Sequence, residues 1–146
     1  MNDLQEEPTK AGVAVAYLRV ASQNPADAMV SLESQWCACK DIARRNELRI
    51  IATYVDIGVS GLAAQRPGLD LMMSELSMGS LSVCWAPYVV MADTSRLARS
   101  ARLLLALELQ LARYRTRLVT ALDGHMVTRL TRKENERATN RNQATR

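Results

Sequence analysis

AYLRVASQ, residues 16–23, begins as a buried strand and ends at an arginine and a polar turn. Ala14, Val15, Ala16 and Tyr17 are apolar or aromatic in sequence, as a buried strand requires. Arg19 stands at the end of that run. Val20, Ala21 and the polar string Ser22, Gln23, Asn24, Pro25 follow it. Residues 13–19 are therefore expected to form a first strand, with an arginine at its carboxyl end that needs a reason.

The chain outward from this strand alternates between two periodicities. From Asp27 to Glu47, Met29, Leu32, Trp36, Cys39 and Ala43 recur at helical spacing. LRIIATYV (48–55) is rich in β-formers and predicts a second strand. DIGVSGLAAQRPG (56–68) is a long loop of a length that often carries function. Pro67 suits the first turn of a helix, Leu69, Met72, Met73 and Leu76 give that helix an apolar face, and Gly79 ends it. LSVCWAPYVVMA (81–92) predicts a buried strand with a kink at Pro87. Asp93 to Ser95 form a cap-like cluster before a Leu-rich helix expected over 96–114, and TRLVTAL (116–122) predicts a last strand. Residues 1–12 read as a flexible lead. Residues 125–146 read as a polar basic tail carrying Arg129, Arg132, Lys133, Arg137, Arg141 and Arg146. The alternation implies one α/β domain over 13–124, with a mostly parallel central sheet flanked by helices.

Composition bounds the function. A chain of 146 residues with 48% hydrophobic content holds a real core, and 4% aromatics with no Phe makes that core aliphatic. The three cysteines (Cys37, Cys39, Cys84) form no CxxC pair and lie far from the lone His125, which argues against zinc and against a disulfide framework. The polar, acidic start is no signal peptide and no apolar run is long enough to span a bilayer, so a reducing cytoplasm is the expected setting. Net charge is +4, and apart from Lys10, Lys40 and Lys133 every basic residue is Arg. Arginine grips phosphate with a planar fork, whereas lysine offers a point charge.

Ligands of such sheets bind at the carboxyl ends of the strands. Arg19, the segment Asp56 to Gly61, and the pair Arg96/Arg99 all fall just after predicted strands, and Arg66 sits late in the loop after the second. Four guanidiniums with no matching carboxylate cluster would repel one another. They make sense around a crowded anion such as a phosphodiester passing through a pentavalent transition state. Arg96 and Arg99, three apart, are expected on one face of a helix N-terminus. GVSG and PGL do not match a P-loop, no GxGxxG follows the first strand, and GVSGL is not the GxSxG of hydrolases.

YLRVAS (17–22), SLESQ (31–35), YVDIGVSG (54–61), RPGLDLM (66–72) and DTSRLARS (93–100) together resemble, in order and spacing, the catalytic domain of serine site-specific recombinases, the resolvases, invertases and large integrases. The resemblance covers about residues 13–124. It implies a resolvase-like three-layer fold and cleavage and rejoining of DNA through a 5′-phosphoserine intermediate, with no metal and no cofactor. It implies Arg19, Arg66, Arg96 and Arg99 as catalytic arginines, with Tyr17, Gln35, Asp56 and Ser60 around them. It also implies DNA as partner, contacted by tail residues such as Arg129, Arg132, Lys133 and Arg137, and a homodimer that forms a tetramer on DNA. The Leu-rich helix and the start of the tail, where a linker helix could begin, are the expected dimer surface.

The sequence departs from the family pattern in three places. Ala21 occupies the usual nucleophile slot, leaving Ser22, the next residue, as the candidate nucleophile. Ser95 stands where many members have Asp directly before the first arginine of the pair, with Asp93 two residues earlier. No helix-turn-helix or zinc ribbon follows Gly124. Three readings stay open on these residues: a recombinase that cuts through Ser22, a resolvase-like DNA-associated or regulatory protein that does not cut, and a basic α/β module unrelated to DNA.

Overall fold

The computed structural model describes residues 12–61, 63, 65–78 and 88–120. Four strands, β1 (Gly12–Val20), β2 (Leu48–Ile57), β3 (Tyr88–Met91) and β4 (Arg117–Thr120), pair in the order β2-β1-β3-β4, all parallel. Helices α1 (Pro25–Arg45), α2 (Pro67–Met78) and α3 (Ala101–Arg113) complete the described chain.

Strand β1 sits inside the sheet, and its side chains divide the core by alternation. Val15 and Tyr17 join Leu69, Met72, Met73 and Leu76 of α2 and Leu111 of α3 on one face. Ala14, Ala16 and Leu18 meet Cys39 and Ile42 of α1 on the other. Arg19 has the parity of Val15 and Tyr17. Chain order reverses between β1 and β3, so the crevice at their carboxyl ends is the switch point where such sheets place ligands.

Local sequence explains the boundaries. Asn24 caps α1 by accepting from Ala26 N and Asp27 N, so Pro25, expected in a turn, is the first helical residue. Strand β2 runs two residues beyond the expected 48–55, which puts Asp56 in the strand rather than at the head of the loop. Met29, expected on the apolar face of α1, is exposed.

The largest correction concerns residues 96–100. They are not the first turns of one long helix. Thr94–Arg96 make a single 3-10 turn capped by Asp93, the chain breaks at 97–100, and Ser100 caps α3 through Leu103 N. Arg96 and Arg99 therefore do not share a helix face. In α3, Leu111 is buried and Leu104 and Leu107 pack against the core, whereas Leu105 (56%) and Leu109 (59%) are exposed. The last strand ends its description at Thr120. Pro87 with its expected kink, Cys84, the lead and the whole basic tail lie outside the described residues.

Candidate active site

The arginine that ends β1 is fully buried, at 0% exposure. Its Nε donates to Arg96 O (3.1 Å), its Nη1 to Val59 O (2.8 Å) and its Nη2 to Ser95 O (2.9 Å). One guanidinium so ties the loop after β2 to the turn after β3. Burial, and then the neighbouring Arg66, lower its affinity for its proton.

Arg66 precedes α2 and is also buried. Its Nη2 donates to Arg96 O (2.7 Å) and to the Tyr17 hydroxyl (2.8 Å), and its Nη1 donates to Leu97 O. Its guanidinium lies 5.4 Å from the centre of the Tyr17 ring, within cation–π range. Three consecutive carbonyls, of Ser95, Arg96 and Leu97, are thus held by two arginines from other parts of the chain.

Tyr17 passes the network on. Its hydroxyl donates to Asp56 Oδ2 (2.7 Å), and Asp56 accepts from Gly68 N (2.7 Å) and Leu69 N (3.0 Å) at the start of α2. Asp56 is therefore the cap of α2, supplied from a neighbouring strand, and it complements the helix dipole. Burial and the hydrogen bond to Asp56 push the Tyr17 phenol well above its usual range. Two glycines make this packing fit. A Cβ on Gly68 would stand 2.7 Å from Val55 O, and one on Gly61 would stand 3.0 Å from Arg99 Cγ and 3.1 Å from Arg19 Nη2.

Gln35 completes the end of β1. Strand β3 pairs with β1 over Ala14–Ala16 only, which leaves the Arg19 main chain unpaired on that side. The Gln35 side chain stands in for the missing strand: Oε1 accepts from Arg19 N (3.1 Å) and Nε2 donates to Arg19 O (3.0 Å) and to Ser31 Oγ (3.0 Å).

The remaining two arginines are presented rather than buried. Arg96 is partly exposed, reaches Arg19 O with Nη1 (3.4 Å), and brings Nε to 3.4 Å from Asp93 Oδ2. That last approach is an ion pair without hydrogen-bond geometry. Arg99 is exposed and lines an open cleft with Thr94, Ser95, Ala98, Ala101 and Leu104. Ser22 is half-buried just past β1, and its Oγ accepts from Asn24 N (3.2 Å). Ala21 and Ser60 are exposed, and Ser60 O accepts from Ala63 N (3.0 Å).

The four arginines expected from sequence do come to one edge, but they are not without carboxylates. Asp56 reaches Arg66 through Tyr17, and Asp93 pairs with Arg96. Asp93 and Gly68 were not expected as site residues, and Gly61 was expected only as part of the segment after the second strand. The i,i+3 spacing of Asp93 and Arg96 was the available signal for the first. The glycines needed the tertiary packing to be seen. Among the described residues no group of three or more His, Cys, Asp or Glu side chains could hold a metal, and no helix is long and apolar enough to cross a membrane.

The family model described as resolvase, N terminal domain, matches residues 14–141. No curated protein matches. Among solved structures, a resolvase family site-specific recombinase from Streptococcus pneumoniae is similar at 26% identity and TM-score 0.66, over 91% of this chain and 93% of that one. The N-terminal catalytic domain of TP901-1 integrase has 20% identity and TM-score 0.65, over 88% and 97%. The C-terminal catalytic domain of ISC1926 TnpA, an IS607-like serine recombinase, has 23% identity and TM-score 0.63, over 86% and 77%.

Proposed function

Because the chain belongs to the family of resolvase N-terminal domains, and so to the machinery of site-specific DNA recombination, we propose that it cuts and rejoins DNA through Ser22. The Ser22 oxygen attacks the phosphorus of a DNA phosphodiester and forms the P–O bond. The bond from phosphorus to the 3′ oxygen breaks, the 5′ end stays on the serine, and the hydroxyl proton is handed on to the departing 3′ oxygen or to water. Reversal after strand exchange rejoins the DNA.

One observation carries this reading. Arg19 and Arg66 clamp the carbonyls of Ser95, Arg96 and Leu97, and Arg96 in turn reaches the main chain of Arg19, three residues before Ser22. Positive groups fixed in advance where negative charge develops stabilise a phosphorane without reorganising during the reaction. In this reading Arg96 and Arg99 meet the phosphate, and Tyr17, Arg19, Arg66, Gln35 and Asp56 hold the frame.

The protein works on cytoplasmic DNA as a homodimer that pairs into a tetramer. The exposed Leu105 and Leu109 of α3 support that part, as surface a partner would cover. A monomer mass independent of concentration at high micromolar protein would count against it.

The test of cleavage is covalent capture on a pool of randomised duplexes carrying a nick, with the adduct mapped by mass spectrometry. Nucleotide attached to Ser22, and lost in Ser22→Ala, is the expected result. An adduct that survives Ser22→Ala moves the nucleophile elsewhere. No adduct in the parent, but one in Ala21→Ser, would show a site complete except for its hydroxyl.

A further inference from the structure

We propose that Asp93 is a positioning residue for Arg96: its carboxylate holds the Nε edge of the guanidinium so that the Nη edge points at the end of β1. The proposal rests on the reading of this edge as a DNA-cleaving site, and it assigns a role to a residue which that reading leaves out.

Three contacts converge on this one carboxylate. Asp93 Oδ1 accepts from Ser95 N (2.9 Å) and from the Ser95 hydroxyl, which fixes the side chain on its own turn. Oδ2 is then left to face Arg96 Nε at 3.4 Å. On the far side of the same guanidinium, Nη1 reaches Arg19 O at 3.4 Å. Arg96 is therefore gripped at one edge and aimed at the other.

Electrostatics make the grip necessary. Arg19 and Arg66 both bind the Arg96 carbonyl, so two buried positive charges lie close to the Arg96 side chain, with Arg99 beside them. An unpaired guanidinium there would swing away from the other three towards solvent. Asp93 offsets that repulsion at short range, and the contact stays partly shielded from water because both side chains are only partly exposed, at 26% and 20%. Ser95 has its own part in this. Its hydroxyl orients the Asp93 carboxylate, and its carbonyl accepts from Arg19.

Asn makes a discriminating substitution. It caps a turn about as well as Asp, so Asp93→Asn keeps the acceptor for Ser95 N, removes the charge and puts an amide NH2 in place of the oxygen that faces Arg96 Nε. A residue that merely caps the turn would not notice the change. A positioning residue would. In Asp93→Asn, the single-turnover rate of adduct formation on the nicked duplexes should fall about tenfold or more. The Kd for the same duplexes should stay level or tighten, since a negative charge near phosphate is gone. Asp93→Glu, which keeps the charge on a longer arm, should recover part of the rate. The Nε–H resonance of Arg96 should shift in Asp93→Asn, measured by NMR on the parent and variant without DNA. A parent-like cleavage rate in Asp93→Asn, or an unmoved Arg96 resonance, overturns the proposal. If the parent itself forms no adduct, the cleavage reading fails, and the Arg96 resonance still decides whether Asp93 holds this guanidinium.

Discussion

Two turns leave the carboxyl end of the sheet side by side, after β1 and after β3, and they are held very differently. The turn after β3 has the carbonyls of Ser95, Arg96 and Leu97 gripped by buried guanidiniums and its own hydroxyl and amide folded onto Asp93. The turn after β1 carries Ala21 and Ser22 and is held by the Ser22–Asn24 contact and the Asn24 cap of α1. The first would suit an element that must keep its charges fixed. The second would suit an element that must approach and then carry a strand of DNA. The difference implies that stability and chemistry are separable here: substitutions in the clamp should damage the fold, and substitutions after β1 should damage only the reaction.

The largest expected effect tests the clamp itself. Arg19→Met fills much the same volume but leaves the carbonyls of Val59 and Ser95 without this donor in a partly buried place, and leaves Arg96 O with Arg66 alone. Unsatisfied buried acceptors cost more than the average hydrogen bond returns, and relief of repulsion with Arg66 offsets only part, so a loss of about 3 kcal/mol is expected in urea unfolding. A variant as stable as the parent would break the comparison, because the turn after β3 would then be held by something other than the clamp.

Gly68→Ala should follow. The added methyl would stand 2.7 Å from Val55 O and 2.9 Å from Val55 C, backbone atoms of a paired strand that cannot easily yield. The helix start must move, and with it the two amides that Asp56 accepts. A loss of about 2 kcal/mol is expected in the same assay. If the loss is confined to α2, faster amide exchange at Gly68 and Leu69 will show it.

How the two turns read from sequence follows the same division. Strand β1, α1, strand β2 and α2 were legible because each is a local pattern: an apolar run, a helical repeat, a β-rich run, a proline at the head of a helix. The break at residues 97–100 was not legible. Leu97, Ala101 and Leu104 keep a helical pattern going straight through it, and a single helix was the natural expectation. What interrupts that helix is tertiary. The carbonyls of Ser95, Arg96 and Leu97 are taken by arginines 30 to 77 residues away in sequence, and so do not serve as helical acceptors. The same contacts account for the site. The convergence of Arg19, Arg66, Arg96 and Arg99 could be placed from strand order alone, but their division into two that hold the backbone and two that are presented could not. It depends on which carbonyls come within reach, and no spacing in the chain encodes that.

A smaller effect sharpens the link between clamp and sheet. Tyr17→Phe removes one oxygen that donates to Asp56 and accepts from Arg66. About 1.5 kcal/mol is expected to go at neutral pH. The pH dependence carries a sign that can be checked. In the folded protein the phenol is held well above its usual range, first by burial and then by Asp56. An unfolded Tyr releases its proton near about 10, so the unfolded state binds fewer protons than the folded one above that pH. Stability from this group is complete below about 10 and falls as the pH rises further. Tyr54, raised by burial and by its bond to Glu75, acts in the same direction. Tyr17→Phe should therefore flatten part of the alkaline fall and leave the rest. An unchanged slope would mean that Tyr17 is not held protonated by the network.

The smallest expected effect on the fold belongs to the turn after β1, and it bears most directly on function. Ser22 lies in the turn just after the last residue of the strand, and its hydroxyl accepts one bond from Asn24 N. The cap of α1 rests on the Asn24 side chain and not on Ser22, so Ser22→Ala leaves the helix start its donors and acceptor. A change within about 0.5 kcal/mol is expected, because the one bond lost is exposed and water can replace it. Ala21→Ser should be equally mild, because Ala21 is exposed and a hydroxyl there meets water. Against this flat background the chemistry should be steep. If Ser22 is the nucleophile, Ser22→Ala abolishes the adduct while melting like the parent, and Ala21→Ser changes little. If Ala21→Ser instead creates cleavage in a chain that had none, the arginines are set for a hydroxyl one residue earlier, and Ser22 is a turn residue. A Ser22→Ala chain that loses 2 kcal/mol or more, about the scale set by the glycine substitution, would undo the separation of the two turns, since loss of the adduct could then reflect loss of the fold.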